Sequence, residues 1–469
     1  MEPFKTRNIG RWLLFFLLLI PLYSFSSYSD SDEKPHRAIM GVSMGAFGAL
    51  HFGLRHPEKF QVIGALGGPV EMKGLITFIS RTMSNYTQWH SRYFNLKDLF
   101  NMIHDMNISF GNLLYEGPDP LFPEAGGYAP CRYGCSGRHK LVSATFKGWN
   151  LPTILAIDTN DNGKFDKGEP LVHHMFEPFL NTNSSGWHEE GESFEDVGLD
   201  GIPGTGDHGE DNGRWDYDPD IDTLLAHDPY ALLKDLPDND LAQLHFYLDA
   251  GRQDEFGFDE QNDHFTKLLF SRDASFQYLT FDEFAQPPFV GDHAYFRYVG
   301  DHVGFPNPFI LKRRLTNAVS FISSKLQGGK YGSSIWDWVY PSSLEMVSVE
   351  SRALGRKASY GIYLPGGYTW EKNRTYPVIY FLAGYGERVG KMVNGLTKAL
   401  IDFMVYAGML KKTILVFLDG HSESNIQGRK SNFYVNQIHP EGEHWEDFLL
   451  ELVDDIDNNY RTQKARRWY

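Results

Sequence analysis

GVSMGAFGAL, residues 41–50, has the spacing Gly-x-Ser-x-Gly with Ser43 at its centre. The apolar run that leads into it, HRAIMG (His36–Gly41), reads as a short buried parallel strand. AFGALHFGLRHP (Ala46–Pro57) has helical periodicity and is closed by Pro57. The five-residue spacing recurs by chance, but strand, tight turn and helix together are the setting that holds a nucleophilic serine on a strained turn. Gly41 and Gly45 let the backbone fold closely enough, and the amides that open the helix, Met44 first, point at a developing oxyanion. A fold built on such a turn normally lays down several strands before it, and here the chain has barely begun.

A serine nucleophile needs a base, and the base needs a carboxylate to orient it. LHFYLDAG (Leu244–Gly251) reads as another buried strand, and Asp254 falls just past its carboxyl end, where catalytic loops gather in an open parallel sheet. Asp249 and Asp259 are less well placed. YFRYVGDHVG (Tyr295–Gly304) carries His302 ahead of a helical run from Phe309 to Leu326. His293, in the parallel phrase GDHAY, is the second choice among 18 histidines. Ser43, Asp254 and His302 follow one another in the order used by α/β-hydrolases.

At these residues the chain resembles the putative-esterase family of α/β-hydrolases, the group of S-formylglutathione hydrolase, feruloyl esterases and mycolyltransferases. The likeness is carried by the elbow with Met44 after the serine, by the strand followed by Gly-x-x-Asp at Asp254 with Asn262 and Leu268 behind it, and by the GDH before a closing helix. The opening of such enzymes appears at the other end of the chain. SRALGRKASYGIYLPGGYTWEKNRTYPVIYFLAGYGE (Ser351–Glu387) is similar to their first strands, where one ends in Leu-Pro-x-x-Tyr and the next in a glycine turn. TILVFLDG (Thr413–Gly420) resembles a further strand, and HWEDFLLELVDDIDNNYRT (His444–Thr462) the helix that runs into the nucleophile strand.

Residues 345–469 followed by 36–326 reproduce the family order, so the expected fold is a circularly permuted α/β-hydrolase: a mostly parallel central sheet flanked by helices. Residues 36–70 and 241–326 would supply nucleophile, acid and base, residues 345–469 the remaining strands, and 327–344 a linker. The sheet neighbour of the nucleophile strand would be the strand ending at Leu382. Two incomplete tandem domains would instead each expose a sheet edge and a large apolar face, more than a marginally stable fold can carry. The resemblance implies an oxyanion hole from the backbone N–H groups of Met44 and Tyr385. Ala383 departs from it, since many relatives carry His or a polar residue there.

Residues 71–240 form an insertion, expected to be a lid over the site. Its acidity is concentrated: of the net charge of −16, residues 158–222 hold 18 acidic side chains against Lys164, Lys167 and Arg214. With no basic stripe elsewhere, nucleic acid is excluded as a partner. DTNDNGKFDKGE (Asp158–Glu169) fits a twelve-residue calcium loop, with Asp158, Asn160 and Asn162 two apart, Gly163 at the turn, the Lys164 carbonyl, Asp166, and Glu169 as the bidentate ligand. PTILAI ahead of it reads as a strand and Pro170 follows it, so one structural Ca2+ loop is expected rather than a helix-flanked sensor. Asp200, Asp207, Asp211 or Asp216 could hold a second ion, although their spacing fits no rule. Trp187 and Trp215 could stack on a sugar or an aromatic acid, or simply organise the cap. No organic cofactor is expected.

Lys5, Arg7 and Arg11 precede the apolar run WLLFFLLLIPLYSF (Trp12–Phe25), with small residues at a signal-peptidase spacing after it, so residues 1–27 read as an export signal. Left uncleaved, the same segment would be a membrane anchor. In an oxidising compartment the two cysteines, Cys131 and Cys135, are expected to form a local disulfide, with a metal pair as the weaker alternative. The function expected is a secreted or periplasmic serine esterase acting on a small-molecule or polysaccharide-linked ester. An acyltransferase on the same triad, or a non-catalytic calcium-dependent surface-binding protein, fits the same sequence features.

Overall fold

The computed structural model describes residues 37–76, 105–111, 140–144, 154–158, 187–199, 203–273, 275–279, 291–306, 308–326, 329–423 and 431–463, with a few single positions between them. Their strands are β1 (Arg37–Val42), β2 (Val62–Leu66), β3 (Lys140–Ala144), β4 (Ile154–Asp158), β5 (His245–Gly251), β6 (Phe276–Leu279), β7 (His293–Tyr298), β8 (Ser343–Ser351), β9 (Arg356–Leu364), β10 (Val378–Leu382) and β11 (Ile414–Leu418). Nine of them make one mixed sheet in the order β6-β7-β5-β2-β1-β10-β11-β9-β8, and β3 and β4 pair separately as an antiparallel hairpin. Within the large sheet only β9 runs against its neighbours.

The central strands are continuous apolar runs rich in β-branched and aromatic residues, RAIMGV, VIGAL, VIYFL and ILVFL, because a parallel sheet is covered on both faces. Alternate side chains enter opposite cores. Ile39, Val378, Tyr380 and Val416 join the core under the Met44–Arg55 and Trp445–Asn459 helices, while Ala38, Met40, Ile379 and Phe417 join the one under the Pro308–Lys325 and Gly395–Tyr406 helices. The Gly395–Tyr406 helix begins at Asn394, whose side chain accepts from the N–H groups of Leu396 and Thr397.

The early and late segments share this sheet. β1 lies between β2 and β10, in register Arg37↔Val378 to Gly41↔Leu382. At the far end of the chain Thr462 bridges Tyr376 in parallel, and the Gln463 N–H donates to the Tyr376 carbonyl. Tyr376 stands two residues ahead of Val378, so the C-terminal segment leaves the sheet beside the point where β1 enters it. The start of β1 is tied to the Trp445–Asn459 helix by an ion pair between Arg37 and Asp457.

Residues 327–344 hold more than a connection: a short helix, Ile335–Val339, is capped by a box in which Ser334 and Asp337 serve each other, and β8 begins at Ser343. No helix among the described residues is long and apolar enough to cross a membrane. The export signal (1–27), Cys131, Cys135 and Asp200 lie outside the described residues. So do Asn160, Lys164, Asp166 and Glu169 of the calcium loop. Of its other ligands, Asp158 closes β4 and Asn162 sits on an exposed bend.

Candidate active site

Ser43 stands between β1 and the Met44–Arg55 helix with φ 57° and ψ −122°, a left-handed backbone that a serine adopts only under constraint. The constraint is visible in its neighbours. A β-carbon on Gly41 would lie 2.1 Å from the Gly45 carbonyl oxygen, and one on Gly45 would lie 2.2 Å from that of Leu382. Both positions therefore require glycine. The Ser43 N–H donates to the Leu66 carbonyl (2.9 Å), and the Ser43 carbonyl accepts from Ala46 to start the helix (2.9 Å). The serine is half-buried.

β5 delivers Asp254 on the turn after Gly251, where Asp254 N–H donates to the Gly251 carbonyl. Asp254 Oδ1 accepts from the Phe256 N–H (2.9 Å), and Oδ2 meets His302 Nδ1 at 2.8 Å with both groups buried. A carboxylate only accepts, so Nδ1 carries the proton and Nε2 is left as the acceptor, the form a general base requires. Phe256 and Phe258 pack edge-on against the imidazole at centroid distances of 5.0 and 5.5 Å. The loop that carries the histidine is pinned by Asp301 Oδ1, which accepts from the N–H groups of Val303, Gly304 and Phe305.

Two consecutive glycines lie between the Ser43 turn and the His302 loop. A β-carbon on Gly68 would lie 2.5 Å from the Ser43 carbonyl oxygen, and one on Gly67 would lie 3.6 Å from that of His302. The glycine turn after β10 adjoins the same turn: the Gly384 β-carbon position is 3.6 Å from the Val42 carbonyl oxygen. Met44 opens the helix, and the first N–H groups of a helix have no acceptor within it. Residues 382–384 thus lie against residues 42–45, although Gly384 follows Ser43 by more than three hundred positions.

The remaining acids and histidines take other parts. Asp249 is fully buried at the end of β5 in a bidentate pair with Arg314, Oδ1 at 2.8 Å from Nη2 and Oδ2 at 3.0 Å from Nε. Burial raises the Asp249 carboxyl above its usual range while the Arg314 charge opposes it. Arg314 Nη1 also donates to the His302 carbonyl at 3.0 Å, so this pair holds the base loop. Asp259 accepts from Arg297. His293 begins β7, at the end of the strand opposite to His302, where Nε2 meets Asp273 at 3.0 Å and Nδ1 accepts from the Phe246 N–H. Burial lowers its pKa.

Two contributors left no mark in the sequence. Asp105, fully buried, accepts from the Tyr385 hydroxyl and from the Ser431 N–H. Ser431 Oγ lies 2.6 Å from Met44 Sδ. These contacts tie Tyr385 and Met44 to one buried cluster. In the insertion, Trp187 and Trp215 pack on each other at 5.5 Å and on Phe176, around Glu177, which accepts from the N–H groups of Val197, Gly198 and Asp216. Burial pushes Glu177 up to about 7. Asp207 lies against Gly198 and Asp216 against Gly209, while Asp211 takes a left-handed turn position. Among the described residues these acids form no three-ligand cluster.

A strained serine elbow at the centre of a mostly parallel sheet, with a buried Asp–His pair beside it, is the arrangement of the α/β-hydrolase fold. Residues 24–294 and 351–468 match the family model Esterase, described as putative esterase, and the chain belongs to that family. An endo-1,4-beta-xylanase/feruloyl esterase of Xylanibacter ruminicola is 29% identical over 131 residues, which are 27% of this chain and 17% of that protein. The chain thus spans less than a fifth of the length of that curated relative. Among solved structures, a ferulic acid esterase is 26% identical with TM-score 0.22, covering 26% of this chain and 44% of that one. A PHB depolymerase from Penicillium funiculosum is 11% identical with TM-score 0.38, covering 91% and 96%.

Proposed function

We propose that the chain hydrolyses carboxylic esters through Ser43, His302 and Asp254. His302 Nε2 takes the hydroxyl proton as Ser43 Oγ attacks the carbonyl carbon, and the oxyanion accepts from the N–H groups of Met44 and Tyr385. Collapse expels the alcohol with the proton from His302, and water then releases the acid from the acyl-enzyme by the same steps in reverse. Asp254 fixes the tautomer and stabilises the imidazolium. The observation that carries this reading is the buried 2.8 Å contact of His302 Nδ1 with Asp254, joined to the Ser43 elbow through Gly67 and Gly68. A fluorophosphonate probe is expected to add one adduct to the intact chain, mapped by peptide mass spectrometry to the segment holding Ser43. Labelling elsewhere, or none, would remove the assignment.

The named activity of the Xylanibacter relative makes a feruloyl ester on a polysaccharide the first substrate class to assay. Circular permutation belongs to the same proposal. What supports it is the strand order β8-β9-β11-β10-β1-β2-β5, in which the late strands precede the early ones, and the closeness of Gln463 to the start of β1. The apolar run at 12–25 supports export of the chain.

The ligand spacing of Asp158–Glu169 supports one structural calcium ion. Ca2+ returned to chelator-treated protein is expected to raise Tm, because an ion that binds only the folded state stabilises it, and to leave a Glu169→Ala variant unmoved. An unchanged Tm in the parent protein would dismiss the ion.

A further inference from the structure

Two turns along the helix from Ser43, roughly 12 Å down its axis, His51 is fully buried, and neither of its ring nitrogens has a hydrogen-bond partner among the described residues. Such a pair of orphaned nitrogens is rare in a folded core. His51 Nε2 lies 3.5 Å from Glu446 Oε2 without hydrogen-bond geometry. The His227 ring faces it at a centroid distance of 5.0 Å. Its Nδ1–H donates to the Thr223 carbonyl at 2.8 Å, which fixes the tautomer and leaves the Nε2 lone pair outward. One ligand atom from each of His51, His227 and Glu446 falls within 4.8 Å of the other two.

We propose that His51, His227 and Glu446 bind a divalent transition-metal ion, Zn2+ by preference, that fastens the nucleophile helix to the Trp445–Asn459 helix and to the end of the insertion. Two imidazoles and one carboxylate are a donor set that zinc accepts at about 2.0–2.2 Å, with a fourth place for water or another side chain. Two imidazoles on one tetrahedral zinc hold their ring centroids about 5 Å apart, the separation found, and the present rings, stacked within 27° of parallel, would swing so that both lone pairs meet at the ion. Ligand atoms on such an ion stand about 3.4 Å apart, so the present cluster needs only side-chain closure. His56 offers a candidate fourth donor, with Nε2 buried, unpartnered and 3.8 Å from Glu446 Oε1. Arg55, 3.2 Å from Glu446 Oε1, orients the carboxylate from its solvent side. The proposal stands apart from the esterase reading, since none of these groups belongs to the triad.

The test uses the full chain stripped of metal and titrated with ZnCl2 by calorimetry and thermal melting. The expected result is one equivalent bound and a Tm rise of several degrees, both lost in His227→Ala, which removes a half-buried ligand. Retention of that equivalent and that rise in the variant would overturn the proposal. Co2+ read on the unaltered protein covers the case in which the variant does not fold. A four-coordinate site gives an intense visible d–d band that Zn2+ displaces, and absence of that band would refute the site.

Discussion

Ser43→Ala is expected to lower kcat on p-nitrophenyl acetate by about 10⁴-fold or more, with Tm shifted only slightly. The hydroxyl is the atom that enters the acyl-enzyme, so its removal closes the covalent route whatever the substrate. The oxyanion donors and the binding surface stay in place, and only that residual catalysis survives. Stability changes little because the elbow is held by backbone: the Leu66 carbonyl, the helix start and the close passage of Gly45 over Leu382 do not depend on the side chain. A β-carbon is tolerated at φ 57° in either residue, so the strain is common to both. Matched rates for parent and variant would show that hydrolysis does not run through this serine. A collapsed Tm in the variant would contradict the account of the elbow.

Arg314→Met is expected to cost about 3–5 kcal/mol of folding stability, the usual consequence of stranding one partner of a buried ion pair. Asp249 would then keep its place without a counter-charge. Its carboxyl already titrates above the usual range because of burial, and Arg314 is the foremost group holding it down. A carboxyl whose folded pKa exceeds its unfolded one loses stability as pH rises through that interval. The deficit should therefore shrink in acid, as Asp249 takes a proton, and widen toward neutral pH. Urea denaturation at two pH values reads both the size and the sign. The double change Arg314→Met with Asp249→Leu should recover much of the loss, since an apolar pair of similar volume leaves no orphaned charge. Activity should fall in the single variant as well, because Arg314 Nη1 holds the His302 carbonyl.

Much of the site could be read along the chain because its chemistry is local. The elbow occupies five consecutive residues, and its two glycines are demanded by carbonyl oxygens a few positions away or across one strand pair. Asp254 and His302 each follow a strand whose apolar run marks where it ends. β1 beside β10 was legible for the same reason, as two runs of buried-strand composition each closed by a glycine turn. What stayed hidden depends on pairs that no periodicity announces. Arg314 finds Asp249 across 65 positions, Tyr385 finds Asp105 across 280, and Ser431 finds Met44 across 387. The helix inside 327–344 is different, since Ser334-x-x-Asp337 is a capping signal present in the sequence. The tryptophans of the insertion were open to a ligand reading, and Trp187 and Trp215 instead meet each other.

The pairing of Arg37 with Val378 also sets a timetable for the newborn polypeptide. At 5–20 residues per second, the middle strand waits roughly 20–70 s after leaving the ribosome before its second neighbour is even synthesised. Throughout that interval it presents one bare row of amides and carbonyls and two apolar faces, the combination most prone to mispairing. The sheet is therefore completed from the far end of the sequence, by a strand made some three hundred residues after the one it covers.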